Sequence, residues 1–228
     1  MTKTIAIVHY NTPELTTALV KSIRKHTAGC RIVIFDNSTL RPFPAMDGVE
    51  VIDNTMGQII NFGALLEKYP DRVKTCNNHA SSKHIASVDW LFDYLPEGFL
   101  LMDSDVLVKE DISPLFNERM AWVGAVEYTP QYWFQAKRCY PFLLWINVPL
   151  CAAHGIRFWH EGMSYKLSHQ GPPYYDTGGS FYEDVMAAGL RTKEVNIGRY
   201  IEHFGAGSYS DNKSFEDWLN KHKDLWRD

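Results

Sequence analysis

The chain has 228 residues, 45% of them hydrophobic and 22% charged, an ordinary balance for a globular α/β protein with one sizeable core. With 23 Lys and Arg against 27 Asp and Glu, the net charge of −4 argues against nucleic acid as a partner, because such binders carry a basic face. Cys30, Cys76, Cys139 and Cys151 form no Cys-x-x-Cys pair, which argues against a zinc ribbon or a dithiol redox motif.

Ile5-Ala6-Ile7-Val8 is a short continuous apolar run ending at His9-Tyr10-Asn11, the pattern of a buried parallel strand. Met1-Thr2-Lys3 leads directly into it, so no signal peptide is expected, and the cysteine pattern suits a cytoplasmic protein. Pro13 at a first helical position, with Thr12 or Asn11 as N-cap, predicts a helix carrying Leu15, Leu19 and Ile23 and ending by Gly29. Residues 31–35 predict a second buried strand, closing a βαβ unit at Asp36-Asn37-Ser38. A third strand is expected at 49–52, with helices at 59–68 and 79–94. Residues 98–102 predict another buried strand with Asp103-Ser104-Asp105 at its carboxyl end.

Beyond this point the pattern is less regular. Strands are expected at 122–126, 142–146 and 200–202, and a loop rich in Gly, Pro and Tyr over 161–179, placed to act as a lid. A short helix is expected at 180–189 and an amphipathic one at 213–226. The last carries Phe215, Trp218, Leu219, Leu225 and Trp226 beside Lys213, Lys221, Lys223 and Arg227, a pattern open to packing on the domain or to peripheral membrane contact. The apolar run at 142–146 is far too short to span a bilayer. With no linker composition and no repeat, one domain is expected over 1–228.

Three polar segments, Tyr10-Asn11, Asp36-Asn37 and Asp103-Ser104-Asp105, thus fall at strand carboxyl ends, where open α/β sheets bind their ligands. Two carboxylates two residues apart suit a hard divalent cation that shares its shell with substrate phosphate. Such a pair also occurs as a solvated turn or a helix cap. Its position directly after Leu100-Leu101-Met102 favours the ligand reading.

Five segments in order resemble glycosyltransferases of the GT-A fold, closest to glycosyltransferase family 2. They are the Ile5–Asn11 and Ile34–Ser38 runs, Leu100-Leu-Met-Asp-Ser-Asp-Val106, Gly178-Gly-Ser-Phe-Tyr-Glu-Asp184, and Ile201-Glu-His-Phe-Gly-Ala-Gly-Ser208 taken with them at the C-terminal side. The resemblance implies a single Rossmann-like nucleotide-diphospho-sugar transferase domain with a mostly parallel sheet flanked by helices. Residues 1–106 would bind the donor, and 107–228 would bind the acceptor and carry catalysis. It implies a nucleoside diphosphate sugar as donor, UDP-linked by default, and a glycan or lipid-linked acceptor. The site would then work in the cytoplasm or peripherally at the inner face of the membrane, as in polysaccharide biosynthesis.

The same resemblance assigns roles. His9, Tyr10 and Asn11 line the base pocket, and Asp36 hydrogen-bonds the base or ribose. Lys83 is the basic partner of the diphosphate, and Gly178 and Gly179 let the backbone approach the ligand. Asp103, with Ser104 beside it, reaches the ribose or a metal-bound water. Asp103, Asp105 and His203 are the metal set, for Mn²⁺ or Mg²⁺. Asp184 is the general base of an inverting displacement, with Asp176 and Glu183 as rivals. A retaining transferase on the same fold, or a non-catalytic nucleotide-sugar or glycan-binding protein, are the alternative readings.

Overall fold

The computed structural model describes residues 2–64, 79–127, 137–158, 177–205 and 212–227. Its first strand, β1 (Thr4–His9), alternates sides in step with the two-residue strand repeat. Ile5 and Ile7 face one apolar cluster with Leu19, Val20 and Ile23 of helix α1 (Pro13–His26). Ala6 and Val8 face the other, with Val88, Leu91, Phe92 and Leu95 at and just beyond helix α2 (His79–Tyr94). Strands β2 (Arg31–Asp36), β3 (Val49–Asp53) and β4 (Phe99–Asp103) complete the parallel half. A sheet covered on both faces explains why these strands read as unbroken apolar runs.

The central sheet has seven strands in the order β10-β6-β9-β4-β1-β2-β3. β6 (Trp122–Gly124) and β10 (Thr192–Glu194) are parallel to each other, and β9 (Leu144–Ile146) runs antiparallel to both β4 and β6. This is the expected α/β class with a mostly parallel sheet flanked by helices. Because β2 lies on one side of β1 and β4 on the other, the strand order reverses at β1, which makes a crevice at the carboxyl ends of β1 and β4. The register puts His9 opposite Asp36 and Val8 opposite Asp103, so the segments following all three strands emerge together.

Several expectations change. The strand expected over 122–126 divides at Ala125: β6 stays in the main sheet, while β7 (Val126–Glu127) turns away to pair with β8 (Arg138–Cys139). Ala125 has its carbonyl bound to the Tyr140 N–H, and Gly124 has its carbonyl bound to the Val195 N–H, so the chain serves two partners at that point. β5 (Val106–Val108) pairs antiparallel with β11 (Ile201–His203), an element visible only once the two distant segments meet. Helix α3 (Val148–Ala152), capped by Asn147, is too short to show a helical period, and the edge strand β10 is polar and lacks an apolar run. Helix α4 (Gly179–Ala187) starts one residue earlier than expected, and α5 (Asn212–Lys221) ends short of Trp226. The α5 face formed by Phe215 and Leu219 packs with Leu15 and Ala18 of α1 and Leu107 of β5, so it is used inside the protein. Residues 161–176 of the expected loop and 65–68 of the expected helix over 59–68 lie outside the described residues; within the rest of that helix, 59–61 are not helical and 62–64 are. No helix among the described residues is long and apolar enough to cross a membrane.

Candidate active site

The first wall of the crevice is built where β1 ends. Asn11 takes a left-handed backbone, φ 56°, and no other non-glycine among the described residues has a positive φ. Asn tolerates this conformation because its short side chain bonds locally. Its Oδ1 accepts the backbone N–H groups of Thr39 (3.1 Å), Leu40 (2.9 Å) and Arg41 (3.0 Å). Its Nδ2 donates to Thr39 Oγ1 at 3.1 Å, and its backbone N–H donates to Ser38 Oγ at 3.0 Å. The loop after β2 is therefore clamped onto the turn after β1.

Asp36 holds the same loop from within. It is 2% exposed. One carboxylate oxygen accepts the Ser38 N–H at 2.8 Å and the other the Phe43 N–H at 2.7 Å. His9, fully buried, lies 2.7 Å from Thr16 Oγ1 and edge-on to Phe43. Burial pulls its pKa below the usual imidazole value, against the opposing pull of the Asp36 charge. Tyr10 is at the rim, its hydroxyl 3.4 Å from Thr39 Oγ1.

The opposite wall comes from α2. Asn54 Nδ2 donates to Asn37 Oδ1 (2.9 Å), Asn37 Nδ2 to Ser87 Oγ (2.7 Å), and Ser87 Oγ to the Lys83 carbonyl (2.8 Å). Asn54 Oδ1 in turn accepts the N–H groups of Ile59 (3.0 Å) and Ile60 (2.9 Å). This buried polar chain fixes the early part of α2 against the ends of β2 and β3. It presents the Lys83 ammonium over the rings of Tyr10 (5.6 Å) and Phe62 (5.3 Å).

The floor is the Asp103-Ser104-Asp105 segment. Thr12 is the N-cap residue of α1, yet its hydroxyl makes no cap hydrogen bond and instead meets Ser104 Oγ at 3.3 Å across the β1/β4 crevice. Asp103, the last residue of β4, has Oδ1 3.0 Å from His84 Nε2, out of hydrogen-bond alignment. Asp105 Oδ1 lies 3.4 Å from His203 Nε2 at the end of β11. That pairing is delivered by the β5–β11 register, reinforced by the Phe204 N–H donating to the Asp105 carbonyl at 2.9 Å. Burial pulls the His203 pKa down, and the Asp105 carboxylate and the Asp103 charge more than offset it, leaving it raised. The imidazole is also stacked on Phe142 at 4.1 Å, and Phe142 lies tilted against Tyr140 at 4.5 Å.

Gly178 and Gly179 begin α4 on the far side of this stack. Gly178 has φ +85°, and a Cβ there would stand 2.3 Å from the Cys139 carbonyl oxygen, so only glycine fits. The Cys139 N–H donates to the Gly178 carbonyl at 3.3 Å, joining the start of α4 to the strand that precedes Tyr140. Asp184 is half-buried on α4, whose Phe181 and Val185 are anchored in the core. Asp176 lies outside the described residues.

The sequence-predicted residues at the sheet thus gather in two sets, one around the β1 and β2 ends and one around the β4 end, while Gly178 is joined to β8 through Cys139 and Asp184 lies farther along α4. His84, Thr12, Thr39 and Phe142 were not foreseen. His84 had a signal: with Val88, Leu91 and Leu95 it continues the helical stripe of α2 that faces the sheet, one position past Lys83. Among the described residues, no group of three or more His, Cys, Asp and Glu is close enough to form a ready metal site; the acidic and imidazole groups stand as two pairs.

The sequence matches no family model and no curated protein. Solved structures do match. A galactosyltransferase, LgtC, in complex with donor and acceptor sugar analogues, superposes with a TM-score of 0.54 at 15% identity, over 85% of this chain and 73% of that chain. An active-site mutant of LgtC gives a TM-score of 0.51 at 14% identity, with 85% and 73% covered. The chain has the fold of the GT-A glycosyltransferases.

Proposed function

We propose that the protein is a metal-dependent glycosyltransferase that moves a sugar from a nucleoside diphosphate sugar to an acceptor hydroxyl. The observation that carries this reading is the floor of the crevice. Asp103 Oδ1 is shut off from solvent with no hydrogen-bond partner among the described residues, beside a second carboxylate, Asp105, that faces His203. A buried carboxylate oxygen without a donor is unstable unless a cation or ligand completes it. Two carboxylates and an imidazole are a donor set that Mn²⁺ accepts well and Mg²⁺ accepts less readily.

In this reading Asp103, Asp105 and His203 hold the cation, which would neutralise the charge that builds on the departing diphosphate. Thr12 and Ser104 close the gap between β1 and β4 beneath it. The loop clamped by Asn11 and Asp36, with Tyr10 at its rim, shapes the base pocket; Asp36 does so through the backbone it holds. Lys83, poised over Tyr10, provides positive charge beside the phosphates. Phe142 keeps the His203 ring turned toward Asp105. Asp184 takes the proton from the acceptor hydroxyl as that oxygen attacks the anomeric carbon, inverting its configuration. The chain acts as one transferase domain, its first half binding donor and its second half a glycan or lipid-linked acceptor. Among the described residues Cys30, Cys139 and Cys151 are free thiols, which suits a reducing compartment.

The test is a thermal-shift screen against UDP-, GDP-, dTDP- and CMP-sugars with and without Mn²⁺, followed by Asp105→Ala. A ligand that binds only the folded chain raises its melting temperature. A shift that needs both Mn²⁺ and one nucleotide class, lost in the variant, supports the reading. Full turnover by Asp105→Ala in the absence of divalent metal would sink it, and NMR of the product anomer separates inversion from retention.

A further inference from the structure

We propose that Phe62 is a positioning residue for Lys83, its ring holding the ammonium in the crevice, with the charge uncompensated, for the phosphates of the donor. The proposal rests on the reading of Lys83 as the cation beside those phosphates and adds a residue that lies outside it. Lys83 Nζ stands 5.3 Å from the centroid of the Phe62 ring and 5.6 Å from that of Tyr10, both distances at which a ring face attracts a cation. No carboxylate pairs with Lys83 among the described residues, whereas Arg41, on the loop clamped by Asn11, is paired with Glu14. A carboxylate would neutralise the ammonium, and an incoming diphosphate would have to displace it. A ring face restrains the side chain and leaves the charge and its N–H donors to the ligand. A flexible lysine held in this way loses less rotamer freedom when the ligand arrives.

One buried residue braces both ends of the contact. Asn54 Oδ1 accepts the N–H groups of Ile59 (3.0 Å) and Ile60 (2.9 Å), which fixes the chain leading to Phe62. Asn54 Nδ2 donates to Asn37 Oδ1 at 2.9 Å, and through Asn37 and Ser87 the same chain reaches the Lys83 carbonyl. Asn61 Oδ1 accepts the Ala64 N–H at 3.0 Å, the bond of a helix cap, where the turn over 62–64 begins. Ile59 and Ile60 pack against the core, but Phe62 joins none of the apolar clusters among the described residues. Core packing therefore does not account for an aromatic residue at this position, and the contact with Lys83 does.

Calorimetric titration with inorganic pyrophosphate and Mn²⁺ tests this without knowledge of the base or the sugar. Lys83→Gln should weaken binding about tenfold or more, the loss of a hydrogen bond from a charged group. Phe62→Leu keeps bulk without a ring face and should weaken it about two- to fivefold, the contribution of one cation–π contact at an exposed site. Phe62→trifluorophenylalanine keeps the ring and strips negative charge from its face, so it should match Phe62→Leu, while Phe62→Tyr should match the wild type. On the Lys83→Gln background, Phe62→Leu should have no further effect. Wild-type affinity in Phe62→Leu overturns the proposal. Wild-type affinity in the trifluorophenylalanine variant beside a weakened Phe62→Leu also overturns it, because bulk alone would then matter. So does a full Phe62→Leu loss on the Lys83→Gln background, since Phe62 would then act without the lysine. Lys83→Gln binding pyrophosphate as well as the wild type overturns the phosphate role of Lys83 and this proposal together, while Asp103, Asp105 and His203 keep their own test.

Discussion

Replacing Asn11 by alanine, glycine and aspartate separates the two things this residue does. Its amide oxygen gathers three successive backbone N–H groups, from Thr39, Leu40 and Arg41, and its backbone has φ 56°. A net hydrogen bond contributes about 1 kcal/mol, and less where water can replace it, so the three together contribute about 1–2 kcal/mol in this partly exposed turn. Alanine also meets the left-handed penalty of about 1–2 kcal/mol, from which glycine is exempt. Asn11→Ala should therefore lose about 2–4 kcal/mol and Asn11→Gly about 1 kcal/mol less. Asn11→Asp keeps an acceptor facing the three N–H groups and tolerates the backbone, so it should stay within about 1 kcal/mol of the wild type. Urea unfolding with unchanged m-values measures this. For a chain of this size alanine should lower Tm by about 5–10 °C. A glycine variant as unstable as the alanine variant would refute the argument from φ. An aspartate variant as unstable as both would refute the claim that the side-chain oxygen anchors the loop.

His9 gives a pH dependence. Because burial holds its folded pKa below the ordinary imidazole value of 6.5, its contribution is complete above 6.5 and is lost as pH falls through the folded pKa. His9→Asn should be less stable at pH 7.5 yet lose less stability on acidification, measured as urea midpoints at pH 7.5, 6 and 5; parallel curves for the two proteins would count against it. Gly178→Ala brings strain at φ +85° and a Cβ 2.3 Å from the Cys139 carbonyl oxygen, and should lose about 2–4 kcal/mol. A Tm within about 1 °C of the wild type would show that the junction between β8 and α4 yields easily.

What the sequence determined by itself is the parallel half of the sheet and the polar segments that crown it. Ile5–Val8, Ile32–Phe35 and Phe99–Met102 are strands buried on both faces, so their apolar runs need no distant information, and Pro13 marks the start of α1 at its first position. Asp103 and Asp105 were legible because they directly follow the buried run of β4, and His203 joined them as a candidate through the resemblance to glycosyltransferases. The tertiary structure alone decided how those residues meet. A short strand was expected at 200–202 and is present as β11, but its pairing with β5 shows only in the fold, and that register brings His203 to Asp105. Asp36 reads as a ligand carboxylate in sequence, but only the folded loop reveals that its two oxygens already serve the Ser38 and Phe43 N–H groups. His84 shares a helical turn with Lys83 and has no signal of its own in sequence beyond its place on the sheet-facing stripe of α2. Its approach to Asp103 depends on how α2 crosses the ends of the sheet, and a buried chain through Ser87, Asn37 and Asn54 fixes that crossing. Local pattern records burial and periodicity; it carries no information about which two distant side chains share one point in space, because that is set by packing between elements.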